Sequence, residues 1–272
     1  PVREQHTMPN DADLDSAASG TLRHALRALR HLQKPDGHWC AVLEGDSILE
    51  SEYLLMKFIL GQEHELMADG RGREVLVRIA EGLRRQQRAD GSWGQYPGSG
   101  IDVSATVKAY LALKLMGDDT ESEHMRLARE QVRSNGGAER CNSFTNFYLA
   151  CLGQVSWSAV PSIPPELVLL PRWFYFHLSK LSAWTRTMIL PLSIVTTRRP
   201  SRALSEDMGI NELYLDEVER NRLSNTVESP RHWRLFFRGI DKVLKLLHPL
   251  GGTPLRSTSM RKVVEWMLKR AS

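Results

Sequence analysis

A ten-residue pattern that occurs twice constrains this chain most. "HLQKPDGHWC" runs from His31 to Cys40, and "RQQRADGSWG" runs from Arg85 to Gly94. Gln33, Asp36, Gly37 and Trp39 recur as Gln87, Asp90, Gly91 and Trp93, each 54 residues further on. Self-similarity at a fixed period marks a stacked repeat. The residue types suggest what each turn does. Glycine permits a tight chain reversal that other residues resist. A tryptophan ring can pack across a helix end while its N–H finds a partner. A glutamine amide can reach the unpaired N-terminal amides of the next helix. A ring of such turns would tie neighbouring helices together. The role is structural, and no proton transfer is implied.

The segments around the turns read as helices. Leu22, Leu26, Leu29 and Leu32 form an apolar stripe at spacings of four and three, in a helix expected from Thr21. Pro35 disfavours helix at Lys34 and ends it. Ile48 to Leu60 is apolar almost all round, which predicts a deeply buried helix. Val75 to Gln87 repeats the first helix. Asp102 is placed to cap a helix carrying Val103, Val107, Tyr110 and Leu111. Met125 to Arg133 and Phe144 to Leu152 complete the series, and strand alternation is scarce. The expectation is an all-α fold of helix pairs, each an amphipathic outer helix, a Gly-rich turn and a more apolar inner helix. Such pairs close into a toroid or extend as a solenoid.

Composition narrows the function. With 272 residues, 42% hydrophobic and 25% charged, the chain can bury a globular core. The net charge of +4 is uneven: residues 196–272 hold 15 Lys and Arg against 9 Asp and Glu. That excess is too thin to indicate either an anionic membrane surface or nucleic acid. Cys40, Cys141 and Cys151 form no C-x-x-C pair and read as reduced thiols of a cytoplasmic protein. No signal-like segment and no run of 18 apolar residues appears, so no membrane-crossing helix is expected. Asp118-Asp119-Thr120-Glu121 follows a glycine and reads as a solvated loop. His24, His31 and His38 recur every seven residues, but Pro35 interrupts their helix. No metal site is expected.

The organisation expected is a mobile arm over 1–20, a helical barrel over 21–200, an irregular linker over 201–255 and the first helix of a second domain over 256–272. Leu167 to Phe176 concentrates large apolar residues, flanked by Arg172, His177 and Lys180. Such a mixture suits a membrane-surface plateau, or a segment buried under another domain.

The two turns resemble the QW repeats of triterpene cyclases. "LQKPDGHWCAVLEGDSILESEYLLMKFIL" is similar to the N-terminal helix pair of squalene–hopene cyclases. "SNGGAERCNSFTNFYLACLGQVSWSAVPSIPPELVLLPRWF", "LSAWTRTMILPLSIVTTRRP" and "INELY" resemble segments that follow in the same order in that family. The resemblance is dense from Thr21 to Tyr214. It implies two α/α-barrel domains with an apolar cavity between them, seated in one membrane leaflet. It implies an isomerase that protonates squalene and guides the carbocation to hopene, without metal or organic cofactor. A protonated carboxyl would start the reaction, aromatic faces would stabilise the cations, and a dry cavity would delay quenching.

Carried over residue by residue, the resemblance makes Gln33, Gly37, Trp39, Gln87, Gly91 and Trp93 the structural turns. It places Phe144 and Tyr148 as cavity aromatics, Glu50 and Glu52 as acidic groups near the cavity, and Pro200 in a loop near the substrate entrance. Leu167, Leu169, Leu170, Trp173 and Phe174 become membrane contacts of a peripheral, monotopic protein. The sequence departs from the family at one decisive point. The family's acid lies in a D-x-D-D motif, and none occurs in these 272 residues. The chain therefore reads as an N-terminal part that is inactive alone and holds no catalytic residue. Its expected partners are squalene or a similar polyprenyl, a C-terminal catalytic domain on the same or another chain, a membrane leaflet and a second copy. The alternatives are an isoprenoid- or lipid-binding scaffold and half of a diterpene-type cyclase.

Overall fold

A computed structural model describes residues 10–40, 46–96, 98–175, 177–223, 231–247 and 254–270. The chain divides into two compact units, Pro1–Glu44 and Gly45–Ser272.

The first unit is a helix and its turn. Helix α1 spans Asp11–Leu32, so it begins ten residues before the expected Thr21. Asp13 complements the positive end of the helix, and the alanines that follow are strong helix formers. Half of the expected 1–20 arm is thus helical, and residues 1–9 lie outside the described residues. Gln33 leaves the helix in extended geometry, and Gly37 turns the chain at φ 93°.

The second unit holds the remaining helices: α2 Ser47–Ile59, α3 Glu63–Ala68, α4 Gly70–Gln86, α5 Val103–Leu115, α6 Glu123–Ser134 and α7 Ser143–Cys151. Then come α8 Ala183–Arg198, α9 Glu217–Arg220, α10 Arg231–Leu247 and α11 Arg256–Leu268. Among the described residues no strand forms, so the all-α expectation holds.

Outer and inner helices separate as their patterns require. On α4 the stripe Leu76, Ala80 and Leu83 is buried together with Gly72 in the first turn, and on α6 only Met125, Ala128 and Val132. Helix α5 is buried on every side, from Ser104 through Leu113. It packs against α2, α4 and α6, while α2 also meets α7. Asp102 caps α5 by accepting from the Ala105 N–H at 2.7 Å, as its position predicts. Helix α2 is less buried than its composition suggests. Leu54 and Leu55 are inaccessible, but Leu49 and Met56 on another face are exposed. That exposed apolar face lies on an inner helix.

A second cluster joins α8, α11 and a 3₁₀ turn at Pro165–Leu169. Small residues allow it: Ser193 and Ser259 are inaccessible beside Leu190 and Val263. Arg256 adds a 2.8 Å bond to Glu166. Helix α11, expected to open a second domain, packs here against these elements.

Several described residues between 201 and 223 make fixed contacts with the helices. Arg202 donates both guanidinium arms to Glu63, at 2.9 and 2.6 Å, and a further bond to the Phe58 carbonyl. Glu212 accepts from Lys114 at 2.7 Å and from the Tyr110 hydroxyl at 2.9 Å. Helix α10 follows. Its frequent Arg and Lys mask an apolar period at Leu235, Phe236, Ile240, Val243 and Leu246.

Candidate functional site

The repeated turns have the same internal hydrogen bonds. Gln33 Nε2 donates to the Gly37 carbonyl at 2.8 Å, and Gln87 Nε2 donates to the Gly91 carbonyl at 2.8 Å. Trp39 Nε1 donates to the Leu29 carbonyl at 2.6 Å, and Trp93 Nε1 to the Leu83 carbonyl at 2.9 Å. Each indole therefore closes the last turn of its own helix, where carbonyls lack partners. The glutamine role differs from expectation. Its NH₂ donates to carbonyls; it does not accept from helix amides. Gln87 makes a second bond of this kind, 2.8 Å to the carbonyl of His124 in the first turn of α6. That bond ties one outer helix to the next.

A buried ionic clasp reinforces the second turn. Asp118, expected in a solvated loop, has a side chain only 5% exposed. It accepts from Arg84 Nε at 2.9 Å and Nη2 at 2.5 Å, and pairs with His124 Nε2 at 2.7 Å. Burial alone would raise its pKa, but the hydrogen bonds from Arg84 and His124 outweigh burial and hold the carboxyl below its ordinary value.

The inner helices assemble a polar group within the apolar core. Lys108 on α5 is 3% exposed and donates to Glu52 Oε1 on α2 at 2.6 Å. Tyr148 on α7 donates its hydroxyl to Glu52 Oε2 at 3.1 Å. Burial, then the Glu52 charge, push the Tyr148 phenol above its usual range. Phe144 stands one turn away on α7, half exposed. Glu50 lies apart: its Oε1 is 3.4 Å from Gln86 Nε2, and its buried Oε2 has no hydrogen-bond partner. Two of the expected cavity residues, Glu52 and Tyr148, are thus brought together, and Lys108 is the member the sequence reading missed. Its signal was available: a lysine in a helix otherwise buried all round needs a buried anion.

The remaining candidates disperse. Pro200 is exposed beyond the end of α8, after Arg199 turns the chain at φ 47°. Leu167, Leu169 and Leu170 are half-buried in and beside the 3₁₀ turn that meets α8 and α11. Trp173 is 79% exposed, with Phe174 against its edge at 6.0 Å. Among the described residues no cluster of three metal-ligating side chains occurs.

Sequence comparison decides the family. The profile of the squalene-hopene cyclase N-terminal domain matches residues 22–272. The chain belongs to the squalene-hopene cyclase family. It is 37% identical over 250 residues to the squalene–hopene cyclase of Zymomonas mobilis, covering 92% of this chain and 36% of that one. It is 38% identical over 258 residues to a probable squalene–hopene cyclase of Sinorhizobium fredii, covering 94% and 38%. The squalene–hopene cyclase of Alicyclobacillus acidocaldarius is 32% identical over 254 residues, covering 93% and 38%. The chain spans a little over a third of the length of these relatives.

Within this cyclase domain, α10 is the surface feature that the linker expectation hid. Its polar face turns toward the domain: Asp241 accepts from the Ser162 N–H at 2.8 Å, and Lys245 donates to the Ser158 carbonyl at 2.7 Å. Its apolar residues Leu235, Phe236, Phe237, Val243 and Leu246 are exposed. Beneath the polar face lies a cleft of about 1020 Å³ walled by Arg140, Asp216, Arg238 and Lys242 among others. Glu52 and Tyr148 do not line it. No described helix is long and apolar enough to cross a membrane.

Proposed function

We propose that this chain is the substrate-shaping barrel of a squalene cyclase whose acid is supplied elsewhere. The observation that carries this reading is the Glu52–Lys108–Tyr148 group on the inner helices of a cyclase N-terminal domain. An isoprenoid cation needs aromatic faces and fixed negative charge close by. Phe144 and Tyr148 would offer the first and Glu52 the second. The initiating proton would come from a D-x-D-D motif in the catalytic two thirds, since this chain has none. We further read α10, with its outward apolar face, as the main contact with one membrane leaflet. Trp173 would be a lesser contact. The protein would then be peripheral and monotopic.

The test is complementation. The purified chain should form no hopene from squalene in vesicles of mixed zwitterionic and anionic phospholipid, yet should sediment with them. Co-expression with the C-terminal two thirds of the Zymomonas mobilis relative should restore hopene. Hopene from the chain alone would overturn the division of labour. Vesicle binding with no complementation would favour a lipid-binding scaffold.

A further inference from the structure

Lys108 sits where a lone cation is costly, in the most buried helix of the domain. Glu52 offsets that cost with a 2.6 Å contact. Its second oxygen takes the Tyr148 hydroxyl at 3.1 Å. Both carboxylate oxygens are therefore engaged. Glu52 is thus held in one place between two donors from two other helices. Glu50, two residues away, has an oxygen with no partner among the described residues. The distinction matters to cation chemistry. A carbocation is stabilised by nearby negative potential but destroyed by a free base that removes its proton.

We propose that Lys108 is a positioning residue: it holds Glu52 in place, and through Glu52 fixes the Tyr148 ring as a cation-stabilising wall. A phenol that donates to a carboxylate is polarised toward phenolate, which enriches the π face a cation meets. The ligand class is an isoprenoid tertiary carbocation, for which a trialkylammonium is the stable mimic. The inference rests on the cyclase reading for that ligand, while the positioning itself rests on the geometry. The titratable groups that act on Tyr148 are Glu52 from α2 and Cys151 on its own helix, and Lys108 from α5 reaches it through Glu52.

Two measurements on the full 272-residue chain test it. The first follows the Tyr148 ring carbon Cζ by NMR of ¹³C-tyrosine protein, assigned with Y148F. In E52Q the phenol should titrate below wild type, although burial, the larger cause, still holds it above the ordinary value. An unmoved Tyr148 would overturn the triad. The second is calorimetry with a long-chain trimethylammonium probe and its neutral tert-butyl isostere. Wild type should prefer the cation about tenfold. E52Q should show no preference. In K108M the preference should fall at least about threefold, because Glu52 loses the contact that holds it against the Tyr148 hydroxyl. A K108M preference equal to wild type would overturn the role of Lys108, since loss of packing alone weakens both probes alike. K108Q serves the same purpose if K108M does not fold. A shifted Tyr148 in E52Q with no ammonium preference in wild type would uphold the contact but overturn its role toward a cation, and would count against the cyclase reading itself.

Discussion

The turn after α1 and the turn after α4 share a sequence, a backbone and a set of hydrogen bonds, yet one is buried and the other is not. Gly37 and Gly91 adopt φ 93° and 88°. Lys34 and Arg88 each donate from the backbone four residues ahead, at 2.8 and 2.9 Å. Trp39, however, is 54% exposed, whereas Trp93 is 1% exposed. Gln87 reaches a neighbouring helix through His124, and among the described residues Gln33 has only its bond to Gly37. The motif therefore encodes its own conformation locally and does not depend on cover to form. Cover decides how much stability it contributes. The same ten residues are a self-contained cap in one place and the corner of a core in the other.

The largest effect that follows is a contrast between tryptophans. Trp93→Ala removes a fully enclosed indole and the cap on Leu83, so a loss of about 3–5 kcal/mol is expected. Trp39→Ala removes an equal bond but a half-exposed ring, and should cost about 1 kcal/mol. Urea unfolding followed by far-UV circular dichroism measures both. Equal losses would mean that local capping, not cover, sets the value of the turn.

The glycines sharpen the same contrast. Both occupy the left-handed region, so alanine is strained at either position. At Gly37 the new methyl would meet only Gln33 Nε2, at 3.9 Å. At Gly91 it would lie 2.4 Å from Leu127 Cβ and 2.8 Å from the Leu127 carbonyl carbon. Helix α6 would have to move. Gly91→Ala should cost about 3 kcal/mol and Gly37→Ala about 1 kcal/mol, read from the same urea curves. A cost at Gly37 as large as at Gly91 would mean that strain, rather than the approach of α6, dominates.

What the sequence made legible follows this division. Local features read well: the turn glycines, the Asp102 cap, and the stripes on α4 and α6 depend on residues within one or two helical turns. Features set by distant chain were harder. Asp118 reads as a loop residue because Arg84 is 34 positions away. Lys108 reads as an anomaly until Glu52, 56 positions earlier, supplies its anion. Helix α10 was hidden for another reason. Its basic residues lower its average hydrophobicity, and an apolar face turned outward is the reverse of the usual sign of a buried helix. Glu52 and Tyr148 were singled out only through the family resemblance, and nothing in their spacing announces that they meet.

The smallest expected effect concerns acid, and it separates the two turns by charge. Asp118 fastens the second turn, and its carboxyl is held below the ordinary value by Arg84 and His124 against the opposing effect of burial. A carboxyl with a folded pKa below its unfolded one adds stability above the unfolded value of about 3.9. That contribution is lost as pH falls through the folded value. Asp118→Asn should therefore cost about 1.5 kcal/mol at pH 7, where wild type has its charged hydrogen bonds. The gap between the two proteins should close below about pH 4, as wild type loses what the variant never had. At the first turn the exposed pair of Asp36 and His38, more than half accessible on both sides, offers little to lose. Asp36→Asn should leave the urea midpoint unchanged at pH 7. A gap for Asp118→Asn that stayed constant down to pH 3 would show that the side chain acts by packing shape, and the clasp would no longer explain why the second turn is the firmer one.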